Sequence, residues 1–166
     1  GHAVLGLHDR GEMDARMLTY TSAPLAEDLE ITGAPVVRLL VASDHTDGAF
    51  FAYLEAVDSE GRSRYITEGG LRARHRARNE PHHPGEALHS FREDVAATLV
   101  PGEPVELEFR MWPTSVTFRA GDRIRVALAG AEADTFDRLP AEGTPNWTVH
   151  RGPEGSTIQL PVVDRQ

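Results

Sequence analysis

Between positions 105 and 111 apolar and charged residues alternate without a break, in the order Val-Glu-Leu-Glu-Phe-Arg-Met. Successive side chains of a β-strand point to opposite faces, so this period of two predicts a strand with one buried and one solvated face. Residues 124–128 repeat the pattern, and Arg123 and Arg125 are expected to point outward there. Residues 157–162 repeat it again. These three stretches favour a protein built from strands.

The first half of the chain carries fuller apolar runs at 36–41 and 50–57, which are rich in β-branched and aromatic residues. A turn at 58–61 follows, Gly69-Gly70 is expected to break the chain, and 120–122 has the composition of a tight turn. Many short strands separated by Gly, Pro and Asp turns predict an all-β fold, an antiparallel β-sandwich or jelly roll.

Three stretches do not fit a strand pattern. Residues 79–86 are expected to form an irregular loop, and the polar stretch 132–145 a long connection. Within 87–100, four apolar residues lie at helical spacing and predict one short helix. They are Leu88, Phe91, Val95 and Leu99.

A chain of 166 residues is long enough to bury one core without a disulfide or a metal. We assign residues 17–163 to one jelly-roll domain and residues 164–166 to a C-terminal tail. Residues 1–16 are assigned to an N-terminal extension or a cloning remnant, because the chain begins Gly1-His2 with no methionine.

Composition excludes several classes of function. The formal net charge is −9, which disfavours nucleic acid and anionic membranes as partners. All 17 basic residues are arginine, so lysine chemistry is absent. There is no cysteine, which fits a reducing compartment, and no signal peptide or membrane-length apolar run is recognisable. We therefore expect a cytoplasmic location.

The sequence lacks the motif of a serine hydrolase nucleophile. An α/β-hydrolase carries its serine in a Gly-x-Ser-x-Gly turn between a strand and a helix. None of the seven serines stands in that frame; Ser59 comes closest, and a turn residue is the better interpretation of it. A Ser-His-Asp triad from distant segments stays open, but no catalytic residue is predicted.

One loop holds several metal-ligand residue types. Histidine and carboxylate side chains can bind zinc, but adjacent histidines usually point apart and two prolines stiffen this loop. A solvated loop is the favoured interpretation. The residues are Glu80, His82, His83, Glu86 and His89.

Asp44, Asp47 and Asp58 lie at predicted turns, where oxygen ligands could hold calcium. A calcium site needs six or more converging oxygens, whereas aspartate is common in turns for its local hydrogen bonds. We predict no metal and no cofactor.

Exposed aromatic side chains would be needed for a carbohydrate-binding sandwich. The candidates are Trp112, Trp147, Tyr53 and Tyr65, and core packing is the more frequent fate of such residues.

A series of short motifs resembles the C-terminal domain of the X-prolyl dipeptidyl-peptidase and cocaine esterase (CocE/NonD) family of serine hydrolases. Their order and spacing make the resemblance specific from about Met17 to Val163. The motifs are Leu18–Leu25, Asp28–Gly33, Asp47–Phe50, Gly69–Arg76, Pro101–Val105, Trp112–Ser115 and Phe118–Arg125.

The resemblance implies a galactose-binding-like jelly roll whose catalytic triad belongs to a preceding α/β-hydrolase domain, so no catalytic residue is carried over. It implies that the domain packs on that hydrolase domain, helps to wall the substrate pocket and contributes to oligomer contacts. The chain departs from the family pattern after Leu128, where only the Phe136-Asp137-Arg138 core of a family segment is kept.

Three hypotheses follow. The first is a non-catalytic accessory domain of a serine hydrolase that acts on esters or amides, with the hydrolase domain as partner. The second is a free-standing carbohydrate- or ligand-binding module, and the third a structural domain that forms a homo-oligomer. Arg119, Asp122 and Arg123 are candidate interface residues, although a solvated hairpin explains them equally well.

Overall fold

The computed structural model describes residues 9–79, 87–132 and 135–164. Within them the chain forms ten strands, one short helix α1 at Gly11–Asp14, and 3₁₀ turns at Ala73–His75 and Glu93–Val95. No helix in this part of the chain is long and apolar enough to cross a bilayer. The strands are β1 Leu18–Thr21, β2 Leu29–Gly33, β3 Val36–Ser43, β4 Ala49–Val57, β5 Ser63–Arg72, β6 Val105–Arg110, β7 Thr114–Phe118, β8 Arg123–Ala129, β9 Trp147–Val149 and β10 Thr157–Gln159.

All of these strands pair antiparallel. One sheet has the order β1-β8-β4-β5, a second has the order β10-β3-β6 with β9 also on β3, and β2 and β7 form a third, two-stranded sheet. Neighbours in each sheet are mostly distant in the chain, so the strands cross between layers as in a jelly roll. The predicted all-β, antiparallel sandwich is confirmed.

The core is built from alternate residues of strands in all three sheets. In β6, Leu107 and Phe109 are buried against β3, and Met111 just beyond the strand is buried as well. Val105 packs on the same core but is only half-buried. The alternation from 105 to 111 therefore places its apolar side chains as expected.

Gly69 and Gly70 do not break the chain, contrary to the prediction; both lie inside β5 and pair with β4. A Cβ at Gly69 would lie 2.8 Å from the Met111 Cα, and one at Gly70 would lie 2.7 Å from the Phe51 ring. Glycine is needed here because the end of β6 and the Phe51 ring approach the strand closely.

The helix predicted within 87–100 is also wrong, since only the 3₁₀ turn at Glu93–Val95 forms. Ala87 and Phe91 have φ of 43° and 55°, values that an α-helix does not contain. Leu99 is buried, whereas Phe91 and Val95 are exposed, so the apolar residues do not share one face.

Candidate functional site

The sheet β1-β8-β4-β5 has one face in the core and a second face that points away from the core. We call this second face the outer face. In β4, Ala52, Leu54 and Ala56 lie in the core, so the alternate residues belong to the outer face. Every residue of β4 is nevertheless buried except Phe51, which is half-buried. The part of the outer face formed by β4 is therefore covered rather than solvated.

The cover is supplied by residues 9–17, the described part of the predicted extension. Arg10 donates from Nε to Glu55 Oε1 at 2.6 Å, and its backbone N–H donates to the Ser63 carbonyl at 2.9 Å. The Ser63 hydroxyl donates to Glu55 Oε2 at 2.7 Å. Asp14 on α1 accepts from Arg125 at 2.8 Å. Whether the domain boundary lies at residue 17 stays a prediction.

Arg125 was expected to point into water, but its side chain is only 20% exposed. It lies on the outer face beneath α1 and pairs with the buried Asp14. Arg123 is exposed, as expected, two residues earlier in β8. Alternation alone assigns both arginines to one face but does not reveal that a distant segment covers part of that face.

The charged side chains beneath the N-terminal segment form two ion pairs, Arg10 with Glu55 and Arg125 with Asp14. Glu55 is fully buried, and burial raises the pKa of its carboxyl; the nearby Asp14 also raises it, while Ser63 and Arg10 oppose the shift. The Arg10 guanidinium lies 4.5 Å from the centroid of the Tyr53 ring, within cation–π range. Within the described residues, Nη2 of Arg10 has no hydrogen-bond partner.

The remainder of the outer face is open. Phe136 lies against Phe51 with ring centroids 5.1 Å apart, yet Phe136 is 55% exposed. Gly70 is exposed and Glu68 is half-buried. Burial and the charge of Glu132 raise the pKa of Glu68. This open part combines aromatic rings with two carboxylates.

The opposite sheet presents a different surface to solvent. Arg38 forms an ion pair with Glu106 at 2.5 Å, and Arg78 pairs with Glu106 and Glu108. The Arg38 side chain is 51% exposed. This charged, solvated surface is what one expects of a sheet with a single buried face.

The structure does not assemble a catalytic triad from the described residues. Ser59 is an exposed turn residue between β4 and β5, and no serine hydroxyl in the described ranges hydrogen-bonds to a histidine ring. Ser63 is the one described serine whose side chain is buried against a carboxylate, and its hydroxyl donates a hydrogen bond to Glu55.

The candidate metal ligands Glu80, His82, His83 and Glu86 lie outside the described residues. His89, which is described, directs Nδ1 to the Ala77 carbonyl at 3.0 Å and Nε2 to the Glu108 carbonyl at 2.6 Å. Both ring nitrogens are thus engaged with backbone. No group of three potential ligands converges among the described residues.

The three turn aspartates are separate and each has local partners. Asp44 accepts from Asn146, Asp47 from Arg72, and Asp58 from Arg62 and two backbone amides. These bonds are those of turn and loop residues.

The four aromatic candidates for sugar binding do not form one exposed platform. Tyr53 is buried on the outer face, and Trp147 packs edge-on against Phe50 with ring centroids 4.1 Å apart. Tyr65 is half-buried beside Arg10. Trp112 is 71% exposed at the edge of β5.

Sequence reasoning missed Arg10 and Glu55, the central pair of the outer face. Glu55 is the one charged residue within the apolar run 49–57, and a lone charge in such a run is a signal for a buried, paired carboxylate. Nothing local identifies its partner, because Arg10 lies 45 residues earlier in the chain.

Residues 5–157 match the family model described as the X-Pro dipeptidyl-peptidase C-terminal non-catalytic domain. A Mycobacterium tuberculosis protein whose name describes it as a serine esterase is 47% identical over 159 residues, which are 93% of this chain and 25% of that protein. The cocaine esterase of a Rhodococcus species is 31% identical over 173 residues, 96% of this chain and 27% of the enzyme. The chain thus spans about a quarter of these relatives.

Solved structures share the fold. An α-amino acid ester hydrolase superposes with a TM-score of 0.78 at 24% identity, covering 94% of this chain and 27% of the hydrolase. An aminopeptidase from a marine sediment archaeon superposes with a TM-score of 0.76 at 22% identity, covering 95% and 28%. A CocE/NonD family hydrolase of Staphylococcus aureus gives 0.74 at 20% identity, covering 89% and 30%.

Proposed function

The chain belongs to the family of X-Pro dipeptidyl-peptidase C-terminal non-catalytic domains, and on that premise we propose that it is the accessory jelly roll of a larger serine hydrolase. In this proposal it packs on the α/β-hydrolase domain of the same polypeptide. The match of residues 5–157 to a family described as non-catalytic carries the proposal. The names of the esterase relatives support it, since this chain spans only about a quarter of each.

We propose that the parent protein cleaves esters or amides, X-prolyl peptides included, and that this domain helps to wall the substrate pocket and contributes to oligomer contacts. The parent's nucleophile then comes from the preceding domain. A cytoplasmic location is part of the proposal and is consistent with the absence of cysteine from the chain.

The alternative function, a carbohydrate-binding module, is not favoured, because the described residues form no platform of exposed aromatic rings. Such modules stack sugars on several exposed rings, whereas here Tyr53 is buried and Trp147 packs on the core. Trp112 alone is widely exposed among the four candidates.

The test compares the full-length parent polypeptide with a truncated version from which this domain is removed. The truncated polypeptide ends before residue 9 in the numbering of this chain. A fluorophosphonate probe first establishes that the serine nucleophile is reactive in both proteins. We expect the truncated protein to keep that labelling but to show a raised KM and a lowered unfolding temperature, because a wall of the pocket and a large contact are removed. Unchanged KM and unfolding temperature would contradict the proposal.

A further inference from the structure

We propose that a groove at one end of the β1-β8-β4-β5 sheet binds a small ligand through an oxyanion, a phosphate or a carboxylate, which the guanidinium groups of Arg123 and Arg125 hold. The groove has a volume of about 490 Å³, within the range of sites for small molecules. Residues of β1, of β8 and of the β4–β5 and β7–β8 turns line it. From here on we call it the arginine groove.

The two arginines come from one face of β8. They lie two residues apart in the strand, so their side chains point to the same side of the sheet. On one side of β8, Arg125 lies opposite Thr21 of β1. On the other side, Arg123 lies opposite Val57 at the end of β4. Thr21 and Val57 both line the groove, so neighbouring strands flank the arginine pair.

Both arginines have hydrogen-bond donors left over. Arg125 donates from Nε to the Thr21 hydroxyl at 2.9 Å and from Nη1 to Asp14 at 2.8 Å. Arg123 donates from Nη1 to the Ser22 carbonyl at 3.1 Å. Within the described residues, Nη2 of Arg125 and both Nε and Nη2 of Arg123 have no acceptor. Nε and Nη2 form one edge of a guanidinium, and that edge matches two oxygens of a phosphate or a carboxylate.

The charges in the groove leave one cation without a counter-ion. Arg125 pairs with the buried Asp14. Asp58, which also lines the groove, pairs with Arg62 at 2.8 Å, and its other oxygen accepts from backbone amides. Arg123 has no carboxylate partner among the described residues. Like charges side by side on a sheet are unfavourable, and an oxyanion between the two guanidinium groups would remove that repulsion.

The rim of the groove is open to solvent. Gly61 and Gly121 line it, and an added Cβ at either position would meet no atom within 4 Å. Ser59 is exposed in the β4–β5 turn, and its hydroxyl has no hydrogen-bond partner in the described part of the chain. Pro24 adds an apolar side. The groove therefore fits an oxyanion on a small apolar group, with the hydroxyl of Ser59 as a further donor.

Calorimetric titration of the full-length polypeptide with phenyl phosphate and with benzoate tests the arginine groove and separates the two oxyanions. We expect at least one of them to bind, and Arg123→Gln to weaken that binding at least about tenfold, because a charge-assisted contact is lost. Arg119→Gln is the matched control. Arg119 flanks the same β7–β8 turn with its side chain 72% exposed, but it pairs with Asp28 and does not line the groove.

Three results would overturn the inference. They are no binding of either compound, binding that Arg123→Gln leaves unchanged, and an equal loss of affinity in Arg119→Gln. The neutral analogue benzamide should bind at least about tenfold more weakly than the oxyanion, since it lacks the charge that the arginines recognise. Equal affinity for benzamide would also contradict an oxyanion site.

Arginine modification by phenylglyoxal, mapped by peptide analysis of the full-length protein, locates the ligand without any substitution. The oxyanion that binds should slow the modification of Arg123 severalfold, because it covers the guanidinium, and should leave that of Arg119 unchanged. Equal rates at Arg123 with and without the ligand would overturn the inference. Neither measurement requires a reactive serine, so its failure is distinguishable from failure of the proposed function.

Discussion

Arg10→Met removes the cation from the buried pair on the outer face and should be among the most damaging single changes in the N-terminal segment. The Glu55 side chain is fully buried and that of Arg10 is 9% exposed, so water cannot replace the lost partner. Removing one member of a buried ion pair costs about 3–5 kcal/mol, because the other charge stays uncompensated. Methionine keeps an apolar side chain of similar length over Tyr53, which limits the additional loss of packing.

The loss should depend on pH in a defined direction. Burial already raises the pKa of Glu55, and removing Arg10 raises it further. The folded variant then holds a proton that the unfolded chain releases, so its stability is retained below the unfolded pKa of about 4.3 and lost as the pH rises through the folded pKa. The variant's deficit should be at least about 1 kcal/mol larger at pH 8 than at pH 5, since one unit of pKa corresponds to about 1.4 kcal/mol.

Urea unfolding of the 166-residue chain, followed by tryptophan fluorescence at pH 5 and pH 8, measures both effects. The double variant Arg10→Met/Glu55→Gln is the control, because it removes both charges and should recover a large part of the loss at pH 8. A cost below about 1 kcal/mol for Arg10→Met, or a deficit independent of pH, would refute the description of a buried and coupled pair.

Three further predictions concern the core, a strand and a loop. Gly69→Ala should lower the free energy of unfolding by about 1–3 kcal/mol or more, because the added Cβ would meet the backbone at the end of β6. Gly130→Ala is the control: its added Cβ would have its nearest neighbour at 3.4 Å, so the urea midpoint should change little. Phe118→Ala should cost about 3–5 kcal/mol, since Phe118 is fully buried, and a loss below 1 kcal/mol in urea unfolding would contradict its place in the core. Hydrogen bonds from Asn146 and His45 lower the pKa of Asp44 to about 2. The contribution of Asp44 to stability is therefore present above its unfolded pKa and is lost as the pH falls towards 2. Asn146→Ala should raise the pKa of Asp44 in a carboxyl NMR titration, and an unchanged pKa would contradict the contact.

The alternation of residues predicted much of the fold, because period two places whole strands with one face inward. Residues 105–111 and 124–128 form β6 and β8, and the turn at 120–122 connects β7 with β8 through Gly121 at φ 89°. These features depend on neighbours within a few positions. Local sequence contains enough information for them.

Features that depend on distant contacts were not predictable. The Gly69-Gly70 pair is typical of the end of a strand, but Gly69 in fact lies within β5, at the position that Met111 approaches closely. Glu55 stands out as a lone charge in an apolar run, but nothing local identifies Arg10 as its partner, and only the fold brings the two side chains within 2.6 Å. The contact between Phe136 and Phe51 has the same origin, since the two residues meet across 85 positions of the chain.

Fluorophosphonate labelling with peptide mapping, performed on the full-length polypeptide and on this chain alone, tests most directly whether this domain is the non-catalytic part of a serine hydrolase. We predict labelling of one serine in the preceding domain of the full-length protein and of none of the seven serines of this chain in either sample. Stoichiometric labelling of any of those seven, together with ester hydrolysis by the chain alone, would contradict the account.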